Sequence, residues 1–415
     1  MEKEFVWQHA LPGNHGMQAE RLKSQWNLLH AKNTDVYLVI RNDRIIFERY
    51  ADGWNGTRRH GTASTAKAVV GGLSLMVAMD DGLICLDDLA CKYIPQWSVD
   101  PVKSKITIRH LASHTSGLDD SVEKGVQHDA IVGWKGDFWR GAYAKAPDDS
   151  QDSLVQQNAN PFLVARDQAP VIHAPGTVYC YSNPGIAMLA YAVTASLKGS
   201  KYEDIRSLLW ERLINPMGIV QDEWKVGYNK TFETDGLKIV PTWGGGDISP
   251  YAMARIGRLM LKKGTWEGLK LLNTEIVRQA VKQAGHPFCY GLTWLTNSDL
   301  AGNKLWPSLP WDAYVARGAG MQVLLVVPSL QLIMVRYGAD LEVGADMEKT
   351  YDQYLFQPLA EAFNSRQPCP WSKKITGVIW SPASSIIRLA NGGETRDGSD
   401  NWPMTWADDD NLYTA

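Results

Sequence analysis

GTASTAKAVVGG, residues 61–72, is the stretch that decides the fold. It places Ser64 and Lys67 three positions apart, and the apolar run that follows extends to Met79. Two aspartates and Gly82 then provide a stop signal, so the pattern predicts a helix from Ser64 to Met79. Because this helix is apolar all round, we expect it to be central and buried.

Two interpretations of Ser64 are open at this position. A serine at a helix start commonly serves as the N-cap, a structural role that needs no chemistry. Lys67 favours a second interpretation, because Cβ atoms three residues apart on a helix lie about 5–6 Å apart and the amine can reach the hydroxyl. Burial and the positive end of the helix dipole both lower the pKa of such a lysine, as a general base requires. The free N–H groups at the helix start also favour a developing oxyanion.

The same spacing occurs a second time, at Ser121 and Lys124. This pair lies in LDDSVEKGVQHD, a polar stretch between turn signals, where the lysine is expected to be solvated. The spacing alone therefore does not identify a catalytic site, and the buried surroundings of Lys67 distinguish the two pairs.

Outward from this helix, the pattern predicts an α+β fold. An antiparallel sheet is assembled from both ends of the chain, is flanked by N- and C-terminal helices, and receives a mostly helical insertion, which gives an α/β sandwich. The predicted segments are a helix over 17–31, a hairpin over Asp35–Tyr50, helices over Pro184–Leu197, Tyr202–Leu213 and Ser249–Lys263, strands in CYGLTWLTN, DAYVARG, MQVLLVVP and LQLIMVRYG, and a helix over Met347–Phe363.

These segments suggest a domain over residues 1–366, with its sheet part at about 1–84 and 238–366 and its helical part at about 85–237. A Pro-rich break follows at 367–370. Residues 367–415 have little apolar content and strand-like patterns, so they are either a β-rich extension or the truncated start of a second domain. We favour the second interpretation.

Two further stretches carry residues suited to chemistry. Tyr181 and Asn183 stand in YCYSNPG just before a predicted helix, where Asn183 alone would be a plain N-cap. ARGAG, residues 316–320, lies between two predicted strands. Its glycines either form a simple bend or allow the backbone to approach a ligand and supply an oxyanion N–H.

In this order and spacing, the three stretches resemble the serine hydrolases of the β-lactamase and penicillin-binding-protein superfamily. The likeness is closest to the class C-like branch of carboxylesterases and D-aminopeptidases, and S-x-x-K is a known signature of the superfamily. It covers about residues 20–365 and extends to the blocks DDGLICLDDLACKYIP, ITIRHLASHTSGL and APGTVYCYSNPG. The expected fold is therefore β-lactamase/transpeptidase-like.

The resemblance also implies roles for single residues. Ser64 would be the nucleophile that forms an acyl-enzyme, and Lys67 would activate it. Tyr181 would be the general acid and base partner, with Asn183 beside it. The backbone N–H groups of Ser64 and Ala319, the latter following Gly318, would form the oxyanion hole.

One departure from the family pattern bears on the substrate. The third family motif often begins with a lysine or histidine that helps to hold a substrate carboxylate, and here Ala316 stands at that position, followed by Arg317. We therefore predict a carboxylesterase acting on small acyl esters. The alternatives are a β-lactamase or a D-amino-acid peptidase or amidase, with Arg317 turned inward as the cation.

A different class of function is a catalytically silent binding or assembly module, whose Trp-rich tail recognises a polymer. The intact set of Ser64, Lys67, Tyr181 and Asn183 speaks against it. An α/β-hydrolase is disfavoured because the chain contains no G-x-S-x-G. The tryptophans of that tail are Trp371, Trp380, Trp402 and Trp406.

Composition limits the classes of binding partner and cofactor that we expect for this chain. The net charge of −3 with scattered Lys and Arg predicts neither a nucleic-acid nor a membrane partner, and leaves a small-molecule ester or amide as the expected ligand. We expect no metal or other cofactor, since the five cysteines are widely spaced and the pair His110 and His114 lacks the glutamate of a zinc motif. The oligomeric state stays open.

The start of the chain shows no signal-peptide pattern, which favours a cytoplasmic protein. A leader removed from the chain would instead place it in the periplasm or outside the cell.

Overall fold

The computed structural model describes residues 5–143, 160–286 and 288–363, together with the backbone of 153–154, 404–406 and 412–414. The strands are β1 (Gln8–His9), β2 (Thr34–Arg41), β3 (Arg44–Tyr50), β4 (His60–Ala63), β5 (Ser153–Leu154), β6 (Trp224–Lys225), β7 (Lys230–Thr234), β8 (Leu237–Ile239), β9 (Gly246–Ile248), β10 (Thr265–Trp266), β11 (Leu269–Lys270), β12 (Leu295–Thr296), β13 (Tyr314–Gly318), β14 (Gln322–Val327), β15 (Leu332–Gly338), β16 (Met404–Trp406) and β17 (Leu412–Thr414).

The α-helices are α1 (Ala19–His30), α2 (Leu73–Asp80), α3 (Ile108–Ala112), α4 (Gly133–Tyr143), α5 (Pro161–Asp167), α6 (Asn183–Ser196), α7 (Ile205–Leu209), α8 (Pro250–Leu261), α9 (Thr274–Ala280), α10 (Met347–Tyr351) and α11 (Gln357–Glu361). Wider π-helical turns precede α2 at Lys67–Gly72, follow α7 at Trp210–Ile214 and join α10 to α11 at Asp352–Phe356. Short 3₁₀ helices occupy Pro12–His15, Ala90–Lys92, Pro95–Val99, Lys103–Lys105, Gln221–Glu223, Gly227–Asn229 and Pro328–Leu330.

A seven-stranded sheet forms the centre, in the order β1-β3-β2-β15-β14-β13-β12. The pairs are antiparallel except for the short contact between β1 and β3. The hairpin β2–β3 comes from the start of the chain and joins β15 from its end, so the predicted assembly from both ends is confirmed. The predicted α+β class is confirmed as well.

Successive side chains along each strand point to opposite faces of the sheet, and both faces are buried. This is expected for strands whose sequences are nearly continuous apolar runs. On β2, Leu38 and Ile40 face one core, which also contains the helices of the inserted region, while Tyr37 and Val39 face the other. This second core is closed by α1 and the C-terminal helices. On the first face α8 lies close to the sheet, because Gly257 has no side chain to separate it from β14 and β15.

Several details differ from the sequence expectation. The inserted region is not only helical, because β6 pairs with β9 beside β4, and β7 pairs with β8. CYGLTWLTN contributes only the two residues of β12 to the sheet. The predicted helix from Ser64 begins later, at Lys67, because Ser64 lies in the turn that leaves β4. The short strands β6, β7, β8 and β9 were not predicted, because their formation depends on pairing with distant partners that local sequence patterns do not reveal.

The chain divides into two compact units, residues 1–364 and 365–415. In the second unit, β16 and β17 form an antiparallel pair in which Met404 lies opposite Thr414. Most of the predicted C-terminal extension, including Trp371, Trp380 and Trp402, falls outside the described residues. Its role as an extension or a second domain stays a prediction.

Two neighbouring leucines of α1 test the assignment of the second core. Leu29 is fully buried, whereas Leu28 is 41% exposed. We expect Leu29→Ala to lower the free energy of unfolding by about 2–5 kcal/mol, because it removes buried methyl groups and leaves a cavity. Leu28→Ala, the matched control, should change it by less than about 0.5 kcal/mol. Urea denaturation of both variants makes the comparison, and equal effects would contradict the assignment.

Candidate active site

Ser64 lies in a tight turn between β4 and the central helix. Ala63, the last residue of β4, has a φ of 47°, in the left-handed region that residues with a Cβ seldom adopt. The next turn is held by the Lys67 N–H, which donates to the Ser64 carbonyl at 3.0 Å. The Ser64 side chain caps no helix N–H and instead faces other functional groups, so the N-cap interpretation is wrong.

Two of the predicted side chains meet Ser64. Its Oγ lies 3.0 Å from the Lys67 Nζ and 3.0 Å from the Tyr181 hydroxyl. Tyr181 is held two residues before α6, whose N-cap is Ser182; the Ser182 hydroxyl accepts the Gly185 N–H. Two side chains from distant segments, Lys67 of the central helix and Tyr181 at the entry to α6, therefore meet at a single oxygen.

Lys67 is buried and has two oxygen acceptors besides Ser64. Its Nζ lies 2.7 Å from Asn183 Oδ1 and 2.6 Å from the Trp243 carbonyl oxygen. A neutral amine has two N–H groups and one lone pair. Because the amide oxygen and the carbonyl can only accept, they take both N–H groups, and the lone pair is left facing Ser64 Oγ.

Burial changes the protonation of both partners of Ser64. It lowers the pKa of Lys67 to about 7, against the opposing attraction of the Asp120 carboxylate. It raises the pKa of Tyr181, although the hydrogen bond to Ser64 acts in the opposite direction. Near neutral pH the lysine is thus available as a base, while the tyrosine keeps its proton and is available as an acid.

Asp120 is a member of this cluster that the sequence analysis missed. Its Oδ1 accepts the backbone N–H of Asn183 at 2.8 Å and the Asn183 side-chain Nδ2 at 2.9 Å. The only sequence signal was its position two residues after the HTSGL block, in the polar stretch that also holds Ser121.

His114, the first residue of the same block, lies against the cluster. Its Nδ1 accepts the Ser182 N–H at 3.1 Å, and its ring centroid lies 4.6 Å from that of Tyr181. Burial and the nearby Lys67 hold the pKa of His114 well below its usual range, so the ring is neutral and supports the position of Tyr181. The other member of the suspected pair, His110, instead completes a capping box with Thr107 at the start of α3.

The end of β13 lies against the Ser64 turn. A Cβ on Gly318 would come within 2.3 Å of the Thr62 carbonyl oxygen and 2.9 Å of the Ser64 nitrogen, so only glycine permits this approach. The N–H groups of Ser64 and Ala319 have no acceptor among the described residues. β12 pairs only with Tyr314 and the residue after it, which leaves the Gly318 end of this edge uncovered by β12.

Arg317 forms an ion pair with Glu348 of α10, and its guanidinium lies 5.5 Å from the centre of the Tyr351 ring. Glu348 also accepts the indole N–H of Trp306 at 3.0 Å. The guanidinium charge is therefore compensated within the protein, and Ala316 at the preceding position offers no cation.

The β-lactamase family profile matches residues 30–353, which is most of the chain and includes the turn, the helix entry and the strand edge just described. The chain belongs to the β-lactamase family. Family membership supports a hydrolase, and the predicted β-lactamase/transpeptidase-like fold is confirmed.

Three solved structures resemble this β-lactamase-family chain in fold. One is described as a candidate 6-aminohexanoate-dimer hydrolase from Bacillus anthracis (TM-score 0.62, 19% identity, 86% of this chain and 87% of that chain). The others are EstCE1, a hydrolase with promiscuous acyltransferase activity (0.60, 18%, 83% and 98%), and a family VIII carboxylesterase (0.54, 14%, 83% and 99%). Comparison with curated protein sequences finds no match.

The second S-x-x-K spacing forms no comparable site. The buried Ser121 hydroxyl has no hydrogen-bond partner among the residues that the structure describes, and Lys124 is exposed. Within the described part of this β-lactamase-family chain, no cluster of three or more His, Cys, Asp or Glu side chains suits a metal ion. In the same residues, no helix has the length and apolar character needed to cross a membrane.

The close approach at Gly318 gives a test of the site. Gly318→Ala should lower hydrolytic turnover by about 10²-fold, because the new methyl group displaces β13 from the Ser64 turn and shifts the N–H groups of Ser64 and Ala319. Gly61→Ala is the matched control, since a Cβ there meets no atom within 4 Å. Turnover and melting temperature of both variants should be compared, and a Gly318→Ala enzyme with wild-type turnover would refute this geometry.

Proposed function

We propose that this chain is a serine hydrolase that works through an acyl-enzyme on Ser64, with Lys67 as general base and Tyr181 as general acid. One observation carries the proposal: the Ser64 oxygen lies 3.0 Å from both the amine and the phenol. These distances are within the range required for proton transfer.

Acylation begins with the neutral Lys67 amine. The Ser64 proton passes to the lone pair of Nζ while Oγ bonds to the ester carbonyl carbon. The carbonyl oxygen becomes an oxyanion, which the N–H groups of Ser64 and Ala319 are free to stabilise.

Collapse of this intermediate breaks the bond to the leaving alcohol. Tyr181 gives its proton to the departing oxygen, and the proton that Lys67 took restores the phenol, since both groups lie beside the same Oγ. Water then attacks the acyl carbon and gives up a proton to Lys67. The ester bond to Ser64 breaks, Oγ regains a proton, and the carboxylic acid leaves.

A small ester is the substrate class that we favour. A β-lactam or a peptide C-terminus brings a carboxylate, and the two residues at the family's cation position are Ala316 and an Arg317 already paired with Glu348. The name of the family VIII carboxylesterase agrees with an ester substrate. We propose a small-molecule substrate and neither a nucleic-acid nor a membrane partner.

Amide or β-lactam hydrolysis is the second candidate. The name of the 6-aminohexanoate-dimer hydrolase favours an amide for that protein, and the same nucleophile could serve this chemistry. A catalytically silent module is disfavoured, since Ser64, Lys67, Tyr181 and Asn183 form one connected hydrogen-bonded set.

A fluorophosphonate probe tests the nucleophile. We expect it to modify Ser64, because this hydroxyl alone faces the Lys67 lone pair, and we expect Ser64→Ala to abolish labelling. Ser121→Ala, the variant of the second spacing, should label like the wild type. Intact-mass and peptide mass spectrometry identify the modified residue, and labelling that persists in Ser64→Ala would refute the assignment.

Paired assays test the substrate class. We expect a short-chain nitrophenyl ester to give a kcat/KM at least about 10²-fold above that of a chromogenic cephalosporin, because no uncompensated cation holds the cephalosporin carboxylate. The Ser64→Ala enzyme provides the background rate for both substrates. A preference for the cephalosporin would overturn the esterase proposal while leaving the nucleophile intact.

A further inference from the structure

The Asp120 carboxylate is buried at the entry to α6 and receives three N–H groups on one oxygen. Its Oδ1 accepts from the Asn183 backbone at 2.8 Å, from Asn183 Nδ2 at 2.9 Å and from the Ser121 backbone at 2.8 Å. Burial raises the pKa of this carboxyl, and the N–H donors together with the nearby Lys67 oppose that rise because they favour the ionised form. The proposed mechanism assigns no step to this group.

We propose that Asp120 is the positioning residue that fixes the amide of Asn183 and thereby aims the Lys67 lone pair at Ser64. It does so without touching the nucleophile. The inference rests on the proposed function, because it explains how Lys67 comes to act as a base.

The argument begins with the two ends of the Asn183 side chain. Its Nδ2 faces the Asp120 carboxylate and its Oδ1 faces Lys67 Nζ at 2.7 Å. The reversed amide would set an oxygen against the carboxylate and an N–H₂ against the amine. Asp120 therefore selects one orientation, since only Nδ2 can donate to it.

The orientation of this amide decides which partner the amine lone pair meets. With Asn183 Oδ1 and the Trp243 carbonyl both accepting N–H groups, the lone pair has Ser64 as its remaining partner. With the amide reversed, Nδ2 would compete with the serine hydroxyl for the lone pair. The base would then be occupied by a hydrogen bond to asparagine.

Asp120 also supplies charge to the cluster. Its attraction for the ammonium raises the pKa of Lys67 and so opposes the larger effect of burial. The other titratable groups around this lysine are Tyr181, whose ring it contacts, and His114, which is neutral. Beyond them, Arg317 lowers the pKa of Tyr181, and His286 lowers the pKa of His114. Among the described residues, Asp120 is therefore the group whose negative charge raises the pKa of Lys67.

Asparagine and alanine variants separate the charge of Asp120 from its geometry. Asp120→Asn can still accept from Asn183 through its amide oxygen but carries no charge, whereas Asp120→Ala removes the acceptor. Asp119→Asn is the matched control, because the neighbouring carboxylate forms an ion pair with Lys135 at 3.0 Å and, as asparagine, keeps an oxygen that can accept the Asp120 N–H.

The experiment titrates the full-length chain labelled with ¹⁵N-lysine and follows the Nζ signal of Lys67 by NMR. The Lys67 signal is identified by its absence from the spectrum of the Lys67→Arg variant. We expect the Lys67 midpoint in Asp120→Asn to lie at least about one pH unit below that of the wild type, because removal of the nearby negative charge disfavours the ammonium. Asp119→Asn should keep the wild-type midpoint.

The rate of fluorophosphonate labelling of Ser64 gives the second readout. At a pH above every Lys67 midpoint, Asp120→Asn should label within about 3-fold of the wild type, and Asp120→Ala should label at least about 10-fold more slowly. Melting temperatures and circular dichroism verify that the variants are folded. Should Asp120→Ala unfold, Asp120→Ser replaces it with the same expected slowing, because a hydroxyl can both donate and accept and so selects no orientation of the Asn183 amide.

The outcomes separate this inference from the proposed function. If the wild type labels at Ser64 and Asp120→Ala labels within about 3-fold of it at a pH above every Lys67 midpoint, the inference is overturned. An unchanged Lys67 midpoint in Asp120→Asn overturns the claim that Asp120 supplies charge to Lys67. A wild type that fails to label at Ser64 overturns the proposed function, while the NMR midpoints still test the action of Asp120 on Lys67.

Discussion

The candidate active site depends on the arrangement of three oxygens around the Lys67 amine. Asn183 Oδ1 and the Trp243 carbonyl accept its N–H groups, and Ser64 Oγ is the remaining partner. In a buried site an amine without these acceptors would leave its N–H groups unsatisfied, at a cost of about 1–3 kcal/mol each. The cluster thus supports a neutral base, because the neutral amine satisfies every contact and avoids a buried charge.

The fold brings these oxygens together from distant parts of the chain. The central helix carries the lysine, the entry to α6 carries the asparagine, and the segment before β9 carries the carbonyl of Trp243. The two-faced sheet provides a rigid support, and the glycine at the end of β13 lets its edge meet the Ser64 turn. The precision needed for proton transfer therefore comes from elements packed in the core.

The sequence predicted the parts of the site that local spacing determines. Ser64 and Lys67 are joined by one turn, and Tyr181 and Asn183 share one helix entry, so short motifs were sufficient. Asp120 escaped prediction because its contact with Asn183 spans 63 residues and exists only after folding. The turn at Ser64 was not predicted either, because it follows the end of β4, which forms only by pairing with the distant β9. The strands of the main sheet were predictable from their apolar runs, whereas the two-residue strands had no such signal.

The most direct test of a neutral Lys67 as the base is the rate of Ser64 modification by a fluorophosphonate as a function of pH. Because only the unprotonated amine can take the serine proton, the rate should rise as the pH passes through the lysine pKa of about 7 and then reach a plateau. A rate that is constant from about pH 5 to 9, or that rises only near the ordinary lysine pKa of about 10.4, would contradict the account.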